Sequence, residues 1–291
     1  MKLQRRIIYV LVATALLAAG CGSVAPTSKT NSTKVPKGTG SLKLITPGTL
    51  TISTYGTDPP AMSVSVTKSG IKIGDPGGDI MTSFAKAEHL KLKFIETTFA
   101  SVILDVEEKK ADIGMGYYYS TARAQEVYYT DPYFQSTAGI FTLKATPYKG
   151  ISSLSTMKIA AVTGELWAPY LQKLYGSNVL LYSTDVDAAA ALLNGQVQAF
   201  VDGALYDTAP PLSQHRSEVA VHLIKVGQFG MPRAAVLNTF YNFVACSNKG
   251  LAAVYDKYEL KLAKTARWKA IFKATKVSGV TPPVKPPVEV C

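Results

Sequence analysis

Three cysteines and three histidines are where nucleophilic, redox or metal chemistry would first be sought in this chain of 291 residues. His89 falls at the end of a helical pattern and His215 in a polar turn, both surface settings. His222 sits in an apolar strand run and reads as a core histidine. No Gly-x-Ser-x-Gly elbow, Cys-x-x-Cys, His-Glu-x-x-His or phosphate-cradling glycine loop is present, so no metal, cofactor or catalytic constellation is expected. Cys246 and Cys291 form an even pair that can oxidise outside the cytoplasm. A bridge would close a loop of 45 residues and add about 4 kcal/mol in the chain-entropy model; two free thiols are the alternative.

The third cysteine closes a different kind of segment. Residues 1–20 start basic, with Lys2, Arg5 and Arg6, and continue through the apolar run from Ile7 to Ala19, the pattern of a secretory signal. Leu17-Ala18-Ala19-Gly20-Cys21 resembles the end of a bacterial lipobox, which implies lipidation of Cys21 and anchoring to the cell membrane from its outer side. Residues 21–47 hold this cysteine and a linker of Ser, Thr, Pro, Gly and Lys without an aromatic side chain, too polar to order itself. As a flexible coil it would span about 28 Å. No run of eighteen uninterrupted apolar residues is present.

The formal charge of +11 is distributed in the same way. Three of the charges precede the apolar run and four, on Lys29, Lys34, Lys37 and Lys43, lie in the linker, which leaves about +4 for everything from residue 48 onward. So mild an excess excludes a nucleic-acid footprint.

Beyond Gly48, short β-rich runs alternate with amphipathic helical patterns, the sequence mark of parallel sheets covered by helices. Leu50–Ser53, Leu92–Ile95 and Asp112–Met115 read as strands, separated by the helical spacings of Ile80, Met81, Phe84 and of Phe99, Val102, Ile103, Val106. A second series comes after them: strand Lys158–Val162, helix Gly164–Lys173, strand Val179–Tyr182, helix Ala188–Leu193 capped by Asp185, and strand Ala199–Val201. The extended runs Gly139–Leu143 and Phe240–Ala245 read as crossings between two lobes, with terminal helices over Leu251–Leu262 and Arg267–Ala274. The predicted class is α/β, two Rossmann-like lobes joined by a two-strand hinge, with a cleft between them. Lobe 1 covers 48–138 plus 246–277; 139–245 holds the crossings and lobe 2; 278–291 is a proline-rich tail.

The order of several short signals resembles the solute-binding proteins of amino-acid ABC transporters, the bacterial extracellular solute-binding protein family 3 with the type II periplasmic-binding fold. These are Gly48-Thr49-Leu50-Thr51-Ile52, Ala111-Asp112-Ile113-Gly114-Met115-Gly116, Ser120-Thr121-Ala122-Arg123, Thr130-Asp131-Pro132-Tyr133-Phe134, Thr163-Gly164-Glu165 and Leu192-Leu193-Asn194-Gly195-Gln196. The resemblance implies that Arg123 receives an α-carboxylate, a task suited to a planar guanidinium. It implies that the Thr163-Gly164 turn donates backbone N–H groups to the same anion at a helix start. It also implies an acid for the ligand ammonium. Asp202 is the nearest match, with Gly203 standing where that acid is expected. Phe99 falls where the family lines its pocket with an aromatic ring, although its apolar stripe equally fits the core. Tyr117, Tyr118 and Tyr119 replace small hydroxyl residues, and Asp58 stands where a pocket tyrosine is common. Rings at these places narrow the pocket and widen the ligand class from amino acids to related small zwitterions or cations.

The resemblance as a whole implies a monomeric lipoprotein that captures an amino-acid-like polar solute and delivers it to an ABC permease. Two alternatives are an enzyme on this scaffold, similar to cyclohexadienyl dehydratases with Glu165 as its acid, and a sensor that passes ligand state to a membrane receptor.

Overall fold

In the computed structural model the described residues are 42–57, 62–67, 70–237, 239–275 and 290–291. The expected signal 1–20, Cys21, most of the linker, Asp58 and most of the proline-rich tail lie outside them. In chain order the elements are β1 (Thr49–Thr54), the hairpin β2 (Ser63–Thr67) and β3 (Gly70–Gly74), α1 (Asp75–Ala87), β4 (Lys91–Glu96), α2 (Val102–Glu107), β5 (Ile113–Tyr118), β6 (Val127–Gln135), β7 (Ala138–Leu143), β8 (Ile159–Val162), α3 (Ala168–Tyr175), β9 (Val179–Tyr182), α4 (Asp185–Leu193), β10 (Ala199–Gly203), β11 (Val219–Leu223), α5 (Arg233–Val236), β12 (Thr239–Ala245), α6 (Lys249–Leu262) and α7 (Ala266–Thr275).

Two five-stranded sheets organise these elements, in the orders β4-β1-β5-β12-β6 and β11-β7-β10-β8-β9. Each has a parallel part, built by the alternating strands and helices, and an antiparallel edge. β1 shows why the parallel part reads as it does. Leu50, Thr51, Ile52, Ser53 and Thr54 are all buried, because helices or loops cover both faces of a central strand. α1 places Ile80, Met81 and Phe84 on one stripe at zero exposure, and Phe84 meets Tyr255 of α6 edge-on at 5.1 Å. Burying one such ring contributes about 2–3 kcal/mol. Just before β5, Asp112 accepts the N–H groups of Ile45 and Thr51, each at 2.7 Å, and so pins the segment around Ile45 to the first sheet.

Three expectations are corrected. Neither Gly139–Leu143 nor Phe240–Ala245 is a crossing: β7 runs antiparallel between β11 and β10 inside the second sheet, and β12 antiparallel between β5 and β6 inside the first, so the chain returns to lobe 1 before β12 and not after it. The helix expected from Gly164 starts only at Ala168, because Gly164 holds a φ of +88° that no right-handed helix contains, while Pro169 fits the first turn. Asp185 is the first residue of α4 and not its cap. Thr184, in extended conformation, accepts the Asp187 N–H at 3.1 Å through Oγ1.

The lobes are therefore 42–135 with 239–275, and 138–237, and they meet at two short crossings. The first, at residues 136–137, is bonded to the end of α5: Thr137 Oγ1 donates to the carbonyl of Val236 at 3.1 Å. Cys246 and Cys291 are joined by a disulfide, with Cα atoms 5.5 Å apart, which holds the last residue beside the start of α6.

Candidate functional site

Between the lobes, the carboxyl end of β5 meets the turn that follows β8. Phe99 and Tyr117 of lobe 1 stack face to face, centroids 4.3 Å apart at 2°. The Arg123 guanidinium lies 5.2 Å from one centroid and 5.0 Å from the other. At these distances the guanidinium is in cation–π contact with both rings. Each of its terminal nitrogens places one N–H on a backbone carbonyl. Nη1 donates to Tyr118 O at 2.9 Å, and Nη2 reaches across the seam to Gly164 O at 2.7 Å. Beside them Tyr118 inserts its ring between Phe240 of its own lobe, at 4.4 Å, and Trp167 of lobe 2, at 5.6 Å.

The seam thus gathers most of the residues singled out in the sequence but packs them against one another. Arg123 is 8% exposed, Phe99, Tyr118 and Asp202 3% each. The Gly164 turn presents its carbonyl to the guanidinium, and the N–H of the exposed Thr163 donates to Tyr182 O at 2.9 Å, inside the second sheet. Of the expected pair of N–H groups, that of Thr163 is thus taken up by the sheet. Gly203 leaves the room that Tyr118 fills: a Cβ at that position would stand 3.0 Å from the tyrosine hydroxyl. Asp202 lies next to it, with Oδ1 accepting the Gly203 N–H at 2.6 Å, and its carboxyl is hydrogen-bonded to that of Asp185. Burial raises the Asp185 carboxyl above its ordinary value, and the bond to Asp202 offsets part of the shift. Burial likewise pushes the Tyr117 phenol well up, opposed by Arg123 and reinforced by Glu165 and Asp185. Tyr117 OH and Trp167 Nε1 are buried without a hydrogen-bond partner.

Open space begins next to this packed contact. A cavity of about 630 Å³ is lined from lobe 1 by Tyr119, Ser120, Thr121, Ala122 and Arg123, and from lobe 2 by Gly164, Glu165, Leu166, Pro169 and Tyr170, with Pro232 and Ala235 closing one side. That volume suits a small organic molecule. Its lining comprises two phenols, the hydroxyl residues Ser120 and Thr121, aliphatic side chains, one carboxylate and one guanidinium. Sequence reasoning reached Tyr119, Arg123, Gly164 and Glu165 but not Tyr170 or Pro232. Pro232 comes from a segment more than sixty positions away, and Tyr170 faces the cavity only because α3 starts at Ala168.

The three histidines take no part. His89 is exposed at the end of α1, His215 contacts Glu218 at 3.0 Å, and His222 stacks on Tyr148 at 4.1 Å with Nε2 3.1 Å from Thr142 Oγ1. Among the described residues no cluster of His, Cys, Asp or Glu is arranged to hold a metal, and no helix is long and apolar enough to cross a membrane.

Residues 50–277 match the family model described as bacterial extracellular solute-binding proteins, family 3. Among solved structures, the substrate-binding protein of an amino acid ABC transporter superposes with a TM-score of 0.70 at 19% identity, covering 78% of this chain and 99% of that one. A histidine kinase sensor domain with similarity to periplasmic binding proteins gives 0.67 at 18% identity, over 80% and 98% of the two chains. An amino acid ABC transporter substrate-binding protein from Streptococcus pneumoniae bound to L-arginine gives 0.67 at 19% identity, over 80% and 96%. The shared architecture is the two-lobed type II periplasmic-binding fold. No curated protein matches.

Proposed function

Since the chain belongs to the bacterial extracellular solute-binding proteins of family 3, we propose that it captures a small polar solute between its lobes and delivers it to an ABC permease, without chemical change to the solute. The observation that carries this reading is the cavity of about 630 Å³ with walls from both lobes. A solute that touches both walls binds the closed arrangement better than any open one, and so shifts the population toward closure by its differential affinity. Arg123 and Gly164, which border the cavity and bond each other across the seam, couple that closure to the site.

Anchoring is part of the same proposal. A lipidated Cys21 followed by a polar linker would keep the lobes close to the membrane face where a permease opens. Radiolabelled palmitate incorporation that disappears in Cys21→Ser is the expected result; an unlabelled mature chain would remove the anchor from the reading.

The binding reading is tested by calorimetric titration with amino acids and small amines, followed by product analysis of the mixtures. Saturable binding with the solute recovered intact is expected. A new product would turn attention to Glu165 as an acid, and no binding across the panel would defeat the proposal. The similar fold of a kinase sensor domain supports one second reading, a receptor-coupled sensor. Loss of solute uptake in a strain lacking the gene favours the importer, and unchanged uptake favours the sensor.

A further inference from the structure

We infer that the outer face of α6 and α7 is an interaction surface for a membrane that carries anionic phospholipid headgroups, a contact separate from the solute cavity.

Residues 249–275 hold seven cations and two acids, and the fold sorts them by sign. Glu259 is fully buried. Asp256, half-buried, turns to the first sheet, where its Oδ1 accepts the Asp131 N–H at 2.8 Å. Lys257, Lys261, Lys264, Arg267, Lys269 and Lys273 are all exposed, and none of them forms an ion pair among the described residues. Lys257 and Lys261 stand at i and i+4 on α6, Lys269 and Lys273 likewise on α7, and Lys264 and Arg267 fill the stretch between them. Both helices pack on α1, whose own acids Asp75, Asp79 and Glu88 are half-buried while its Lys86 is exposed. Stability does not account for this arrangement. Like charges at i, i+4 repel, and Arg267 and Lys269 occupy the first turn of α7, the end of a helix that favours acids. Of the six, only Lys261 and Lys273 stand in last turns, where a cation suits the helix.

The make-up of the face selects the kind of partner. Protein interfaces are built on apolar and aromatic anchors and are poor in lysine. Here, among the described residues, no large apolar side chain of α6 or α7 is exposed. A lipid surface asks only for cations spread over an area, each attracted to the headgroup phosphates within a Debye length. The place where the chain enters the body agrees. Asn248, immediately before α6, donates through Nδ2 to Lys43 O at 2.9 Å, so a tether upstream joins lobe 1 at one end of this face. The segment 29–43 brings four further lysines and no acid.

The test uses the processed chain from Cys21 onward, with Cys21→Ser so that no acyl chain contributes. It is sedimented with vesicles of phosphatidylcholine alone, or of phosphatidylcholine and phosphatidylglycerol in a two-to-one ratio. Binding is expected only to the phosphatidylglycerol vesicles and is expected to weaken as salt is added. Failure to sediment with them overturns the inference and turns attention to an acidic protein face. Lys257→Gln, Lys261→Gln, Lys269→Gln and Lys273→Gln combined, which keep helix propensity, are expected to lower the partition coefficient by about tenfold or more. Lys149→Gln, Lys158→Gln, Lys173→Gln and Lys225→Gln combined, all exposed on lobe 2, are expected to lower it by less than about threefold. Melting temperatures near that of the parent show that both variants keep the fold. Equal losses in the two variants overturn the inference, because net charge would then explain the binding. Full partitioning retained in the α6–α7 variant also overturns it and assigns the binding to the linker lysines.

Discussion

The packed seam and the open cavity lie side by side between the same two lobes, and they differ in what holds them. At the seam, Tyr118, Phe99, Tyr117 and Trp167 exclude water, and the polar link across it is the Arg123 bond to Gly164 O. The cavity has walls from the same segments, yet the side chains stop short of one another. On the proposed reading, the seam would hold the lobes together without solute, and the cavity would make their closure depend on it. The seam also carries a counterweight: Trp167 Nε1 and Tyr117 OH are buried without partners, and each costs about 1–3 kcal/mol relative to its hydrated state. Parting of the lobes would hydrate such groups, which keeps the closed arrangement from being overwhelmingly favoured.

The largest effect that can break this contrast is Tyr118→Ala. Removing a 3% exposed ring that spans both lobes is expected to cost about 3–5 kcal/mol in denaturant unfolding, whereas a loss below about 1 kcal/mol would mean that the seam is not a packed core. Next comes the dependence on pH. Asp185 and Glu259 both have carboxyls raised by burial, so the folded state keeps protons that the unfolded chain releases. Stability contributed by these protonated groups is full below the unfolded carboxyl range and is lost as pH rises toward the folded values. Unfolding measured from mildly acidic to neutral pH should show this decline. Asp185→Asn should remove the seam's share, about 1–3 kcal/mol at neutral pH, while Glu259→Gln removes a share seated under α6. An unchanged slope in Asp185→Asn would place the titrating group elsewhere.

Smaller changes sharpen the contrast. Gly164→Ala introduces a Cβ at 3.5 Å from Ala100 and Phe99, an ordinary contact, so its cost of about 1–2 kcal/mol comes from the φ of +88°. A more expanded lobe arrangement in small-angle scattering should accompany it, and an unaltered profile would deny the turn a part in closure. Tyr170→Ala, on the cavity side, is expected to change stability by less than about 1 kcal/mol while weakening the solute. Equal losses in Tyr170→Ala and Tyr118→Ala would erase the distinction between the two regions.

The alternating lobes were legible because they rest on local periodicity. Ile80, Met81 and Phe84 could only be one buried helical stripe, and Leu50 with Ile52 could only be a covered strand. β12 was not legible as a member of the first sheet, since its partners β5 and β6 lie more than a hundred residues earlier and no local pattern states a long-range pairing. At the site, motif order identified which segments converge, but not what their atoms do there. Arg123 looks the same in sequence whether its donors meet a ligand or the Gly164 carbonyl, and that choice is made by a turn forty-one residues away. The start of α3 shows a nearer limit: Gly164 and Pro169 both lie in the right neighbourhood, but only their backbone angles decide which one opens the helix.

Thr137 Oγ1 fastens the first crossing to the last residue of α5 through Val236 O. Such a bond opposes sliding of the first crossing against the end of α5, at a net contribution of about 1 kcal/mol. On the solute-binding reading, a solute entering between the lobes would meet two surfaces whose approach is constrained at this one bond.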